Sequence, residues 1–176
     1  MIRTTPYPLI DPNLLLAALP GPPTRALPGA EPASDHEALG YVLAGDLFLA
    51  AVMTRLRSTP PRDEYDSDLS VAVKVAPTER RATTLFRAEC RQDEAFLVRA
   101  SASPIALNPA LEAAEAFAWT SPGPVPRIVV LARYGNYIIR CVGCICADGP
   151  FTSQSHFLAA VRETDRHAWR VLNGVT

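Results

Sequence analysis

Residues 127–147 read RIVVLARYGNYIIRCVGCICA. Two runs rich in Val and Ile flank Tyr134, Gly135 and Asn136. Glycine accepts a positive φ without steric cost, so Gly-Asn between two such runs predicts a tight β-hairpin. Working outward in the C-terminal direction, Asp148-Gly149-Pro150 interrupts the pattern. A helix is then expected from about Ser153 to Leu172. Phe157, Leu158, Val161, Ala168, Trp169 and Leu172 form its apolar stripe, and Asn173-Gly174 suits its C-terminal cap.

Upstream of the hairpin, a strand is expected from about Ala114 to Thr120, followed by a turn at Ser121-Pro122-Gly123-Pro124. Residues 93–112 read as irregular chain, with Phe96-Leu97-Val98 as a short apolar tether and Pro104 and Pro109 as breaks. Leu69 to Ala76 alternates cleanly, with Leu69, Val71, Val73 and Val75 on one side, which predicts a half-buried strand. Pro77 opens a helix predicted from about Thr78 to Arg91, with Ala82, Leu85 and Phe86 inward. Residues 41–56, YVLAGDLFLAAVMTRL, read as a strand apolar on both sides. Helical spacing also fits them, gathering Leu43, Leu49 and Met53 on one face, but it puts Asp46 there too. Ser34-Asp35-His36-Glu37 fits a capping box for a short helix ahead of Gly40. Before that, residues 1–33 form a Pro-rich arm, with one helical turn expected from Asp11 to Leu19 and its leucines packed on the body.

The expected fold is therefore α+β, a single domain over residues 34–176 preceded by the arm. The order ββα-βββα predicts a curved antiparallel sheet of about five strands with two main helices packed on one face. The 176 residues are 48% hydrophobic and 20% charged, ordinary for one globular domain with a real core. The net charge of −1 gives no basic surplus for nucleic acid or for an anionic membrane surface. Sixteen of the 17 basic residues are Arg, Lys74 being the exception, and there are 17 Pro. That bias points to a GC-rich genome rather than to a chemistry. The N-terminus lacks a secretory h-region, and no stretch approaches the ~20 apolar residues of a membrane span, so a cytoplasmic location is expected.

From Leu39-Gly40-Tyr41 onward the chain resembles the small actinobacterial sensor-type domains, seen as mycobacterial lipoproteins and as the extracellular domain of a serine/threonine kinase. The residues carrying the resemblance are the strand and helix at Val71 to Arg91, the Glu115-Ala116-Phe117-Ala118-Trp119 strand, and Arg133-Tyr134-Gly135-Asn136 with the apolar strand after it. The resemblance implies a sheet-and-helix domain with a cleft and a binding role. The chain departs from that family in having no export signal or lipobox.

No nucleotide, phosphate or acyl-transfer motif is present, so no cofactor is expected. Cys141-Val142-Gly143-Cys144 has metal or redox spacing, but it sits in a strand-like run, where small buried side chains are the simpler reading. His36, His156 and His167 have no partner at i+3 or i+4, so no metal site is expected. Asp46 stands inside an apolar run, and a buried carboxylate must pair or shift its pKa upward. Asp46 and Tyr137 are the candidate catalytic pair, with Arg140 as a possible ion-pair partner of Asp46. Phe48, Met53, Trp119, Arg133, Tyr134 and Arg140 are the candidate binding residues of an apolar cavity with a few polar handles. Plain core packing is the competing reading for each of them. The expected function is binding of a hydrophobic small molecule between sheet and helices, as a cofactor-free cyclase or isomerase of bacterial polyketide-type metabolism. Two alternatives stand beside it: a non-catalytic sensor-like module, and a structural subunit whose arm joins copies into a homo-oligomer.

Overall fold

The structure is a computed structural model, and it describes Tyr7, Leu15, residues 50–56, 69–147 and 151–175. Its strands are β1 (Ala50–Leu56), β2 (Leu69–Val75), β3 (Ser103–Pro104), β4 (Glu115–Thr120), β5 (Arg127–Tyr134) and β6 (Tyr137–Cys144). Helix α1 (Glu79–Ala100) lies between β2 and β3, and α2 (Gln154–Asn173) follows β6. The sheet order is β1-β2-β6-β5-β4-β3, with every neighbouring pair antiparallel. The α+β architecture holds, with five principal strands and the two-residue β3 completing one edge.

The hairpin at residues 134–137 is tight. Tyr134 pairs with Tyr137 across Gly135 and Asn136, and Gly135 has a φ of +54°. Once that register is fixed, side chains alternate strictly between the two faces of the sheet. Ile128, Val130, Ala132 and Tyr134 of β5 join Tyr137, Ile139 and Cys141 of β6 and Val71, Val73 and Val75 of β2 on one face. Phe157, Val161, Ala168 and Leu172 of α2 pack against that face. The other face presents Val129, Leu131, Ile138 and Trp119, which meet Ala82, Phe86 and Leu97 of α1.

The two helices therefore cover opposite faces, which corrects the expectation that they share one. The reason lies in β5 itself: Ile128 to Ala132 are all buried, and a strand apolar on both sides needs a helix on both. Topology adds to this. Helix α1 carries the chain from β2 to β3, across four strand spacings or roughly 19 Å, and its 22 residues span roughly 33 Å.

Helix α1 also runs nine residues beyond Arg91, the expected end. Residues 96–98 do not form a tether but continue the helix, in which Asp93 and Leu97 extend the inward row of Ala82, Phe86 and Cys90. Thr78 caps its start, accepting a 3.1 Å bond from the Arg81 N–H, and Ser101 closes it in the left-handed conformation. Ser153 and Gly174 cap α2 in the same way.

Of residues 41–56, the described part forms strand β1, and the capping-box helix at 34–39 lies outside the described residues. In the arm, Leu15 is helical and wholly buried within the core on the α2 side. The ring of Tyr7 lies over the hairpin tip, so close that a Cβ on Gly135 would sit 2.6 Å from its Cδ2. Substituting Gly135→Ala is expected to lower stability by about 1–2 kcal/mol through the left-handed backbone alone. Displacement of Tyr7 adds to that cost. In a Tyr7→Ala background the same substitution should cost measurably less. Thermal denaturation of the four proteins in this double-mutant cycle checks the coupling, and strictly additive effects would mean that the ring does not rest on the turn.

Candidate functional site

Two polar clusters interrupt the apolar interior, one on each face, and consecutive residues of β5 supply them. Tyr134 points to the α2 side and Arg133 to the α1 side.

On the α2 side, the Tyr134 hydroxyl donates to Oδ1 of Asp165 at 2.5 Å, and the Glu112 backbone N–H donates to Oδ2 at 3.0 Å. Tyr134 is 2% exposed and Asp165 4%. Asp165 stands four residues after Val161 and three before Ala168, so it occupies a position on the apolar stripe of α2. The pair borders a small void walled by Leu111, Val130, Ala132, Ile139, Val161 and Thr164. Its volume is about 10 Å³, enough for one water molecule. Burial, reinforced by the Asp165 charge and hydrogen bond, holds the Tyr134 phenol well above its ordinary pKa. Burial likewise pushes the Cys141 thiol at the same wall up to about 12, with Asp165 adding to the effect. Both groups are therefore protonated near neutral pH. The phenol can donate a hydrogen bond, and the thiol is no nucleophile.

On the α1 side, Arg133 is 7% exposed, and its guanidinium is held through Nε and Nη1. It reaches Glu115 at 2.6 Å, Glu79 at 3.2 Å and the Gly135 carbonyl at 2.9 Å. Glu115 also meets Arg87 at 3.3 Å. Burial alone would raise the Glu115 carboxyl, but the hydrogen bonds and charges of Arg133 and Arg87 outweigh it and hold the group below its usual range. Further along, Arg140 meets Asp93 at 3.0 Å and Glu89 at 3.7 Å, and Glu89 accepts from Lys74 at 2.6 Å. This cluster pins α1 to the sheet. A buried guanidinium needs such partners, and their loss would strand its charge.

The candidate residues named from sequence thus fall into separate groups. Tyr134 and Tyr137 lie on the α2 side, with Tyr137 fully buried in the core. Trp119, Arg133 and Arg140 lie on the α1 side, Trp119 packed among Leu97 and Val129. Met53 stands opposite Ala72 in the β1–β2 register. Asp46 and Phe48 lie outside the described residues; among the described residues, Asp93 and Glu89 are the carboxylates that meet Arg140.

Sequence reasoning missed Asp165, although a carboxylate standing on an apolar helical stripe was a signal open to it. It also missed Asp93 and Glu89, whose row continues past the point where the helix was expected to stop. The four cysteines are free thiols, and no three His, Cys, Asp or Glu side chains among the described residues are arranged to hold a metal. Among the described residues no helix is long and apolar enough to cross a membrane. No protein-family model and no curated protein matches this chain.

Tyr134 and Cys141 limit stability at alkaline pH, and Cys90, pushed up to about 11 chiefly by burial, acts in the same direction. Cys141 supports the fold fully below its ordinary value of 9.0, Tyr134 below 10.0, and both contributions are lost as pH rises further. The melting temperature is therefore expected to fall from about pH 9 upward, as the unfolded chain releases these protons first. Cys141→Ala should flatten that fall between pH 9 and 12. Tyr134→Phe should flatten it above pH 10, at a cost near neutral pH of about 1–3 kcal/mol for leaving Asp165 short of a donor. Melting curves taken across this pH range check both outcomes.

Proposed function

We propose that the domain is a binding module for a small, largely apolar molecule, taken up against the α2 face with the Tyr134–Asp165 pair as its polar handle. The observation that carries this reading is a buried phenol–carboxylate pair bordering a void in an otherwise apolar wall. Few convergent polar groups on an apolar surface are the usual composition of a small-molecule site. The void itself has room for one water, so a larger guest requires one wall to give way. The segment 105–114 is the candidate wall. Leu111 lines the void, and Asp165 ties the segment to α2 through the Glu112 N–H. Arg162 also holds the segment by donating to the Asn108 carbonyl, so a ligand donor that takes over the Asp165 oxygen bonded to Glu112 would release one of two ties to α2 and loosen the wall.

Binding is favoured over catalysis by the direction of the pKa shifts. A general acid or base works best with a pKa near the ambient pH, and the phenol and the thiol are both displaced away from it. A cofactor-free cyclase or isomerase of polyketide-type metabolism remains the catalytic extension of the proposal. In it the pocket would act by holding a reactive conformer, with Tyr134 donating to developing negative charge. The non-catalytic reading agrees with the role implied by the resemblance to sensor-type domains.

The test is a fluorescence titration of the full chain with 1-naphthol, an apolar fluorophore whose single hydroxyl can donate to Asp165, together with thermal shifts. Saturable binding is expected, with a rise in melting temperature at saturating probe. Ala132→Leu, which fills the void, and Asp165→Asn, which alters the handle, should each weaken it about tenfold, with circular dichroism unchanged. Absence of saturable binding would overturn the proposal, as would affinity in both variants equal to that of the unsubstituted chain.

A further inference from the structure

Charge on α1 is segregated across the helix. Its inward carboxylates, Glu89 and Asp93, meet the sheet cations Lys74 and Arg140, while Arg80, Arg81, Arg91 and Arg99 face solvent, as does Arg87, which also reaches Glu115 at 3.3 Å. Glu79 at the first turn is taken by Arg133, and the further acidic residue exposed on the helix is Glu94. Five guanidiniums on one face stand out in a chain whose net charge is −1. Helical spacing of 100° per residue puts Arg80, Arg87 and Arg91 in one row, with Arg81 and Arg99 set to its side. The strip runs roughly 28 Å from Arg80 to Arg99 at about 1.5 Å per residue. Between the arginines the same face exposes Thr84, Ala88, Ala95 and Val98, and Val98 is 84% exposed.

We propose that the outer face of α1 is a docking surface for an acidic peptide segment of another protein. Guanidinium planes match carboxylates in bidentate geometry. Small side chains between them let a second chain approach closely, and Val98 offers an apolar contact that a phosphate backbone cannot use. A peptide can place an apolar side chain against Val98 among its acids, so a peptide is favoured over a polynucleotide. Exposed charge pairs are individually weak, so the affinity rests on several acting together and falls with salt.

Fluorescence anisotropy of the full chain tests this, with a fluorescein-labelled peptide of eight glutamates interspersed with alanine and leucine. The controls are the same peptide with glutamine in place of glutamate, and a labelled DNA duplex. Saturable binding of the glutamate peptide is expected, weakening at least tenfold between 50 and 300 mM salt. Arg80→Glu, Arg91→Glu and Arg99→Glu together should weaken it at least tenfold. None of the three contributes to the ion pairs beneath the helix, so circular dichroism and melting temperature should stay unchanged. The proposal is overturned if the glutamate peptide does not bind, if the glutamine peptide or the triple variant binds equally well, or if the DNA binds more tightly than the peptide.

Discussion

Five consecutive residues of β5, Ile128 to Ala132, are withdrawn from water, and no strand can satisfy that with a single covering layer. Alternate side chains point to opposite sides, so half of this run would face solvent if both helices lay together. The β5–β6 hairpin is consequently the middle of the molecule rather than a flap at its edge. Strands β2 and β4 flank it, α1 roofs one side, and α2 with Leu15 roofs the other. Even its tip is enclosed, since Tyr134, Asn136 and Tyr137 are all buried and the Tyr7 ring rests over Gly135.

That central position sets the terms for every polar group nearby. Arg133 and Tyr134 are neighbours in sequence, yet each has to be satisfied by a different layer. Arg133 finds Glu79 at the start of α1 and Glu115 on β4, whereas Tyr134 finds Asp165 on α2. One hairpin thereby registers both helices against the sheet, through a charged cluster on one side and a hydrogen-bonded pair on the other. Apolar contact alone is non-directional and would leave the helices freer to slide, whereas a buried donor with one acceptor in reach fixes its position.

The same division separates the two proposed activities in space. The ligand handle lies on the α2 side, where the interior is greasy and nearly full. The arginine strip lies on the outer surface of α1, beyond the ion pairs that hold that helix down. Because α1 spends Glu89 and Asp93 on the sheet, few acids are left to neutralise its outer face, and the excess positive charge there follows from how the helix is anchored.

Much of this was legible in the residues. Gly135-Asn136 between two Val/Ile-rich runs fixed the hairpin, the alternation at Leu69 to Ala76 gave β2, and the stripe from Phe157 to Leu172 gave α2, because these signals are local and follow the periods of strand and helix. The α1 start was local as well, in Pro77 and Thr78. Its true end was not, since Leu97 counts as helical only once Trp119 and Val129 are there to receive it. The placement of helices on opposite faces, the pairing of β2 with β6, and the choice of Asp165 for Tyr134 and of Asp93 for Arg140 were decided by tertiary structure. They join residues dozens of positions apart, and a sequence lists the donors and acceptors without saying which of them the folded chain brings within 3 Å.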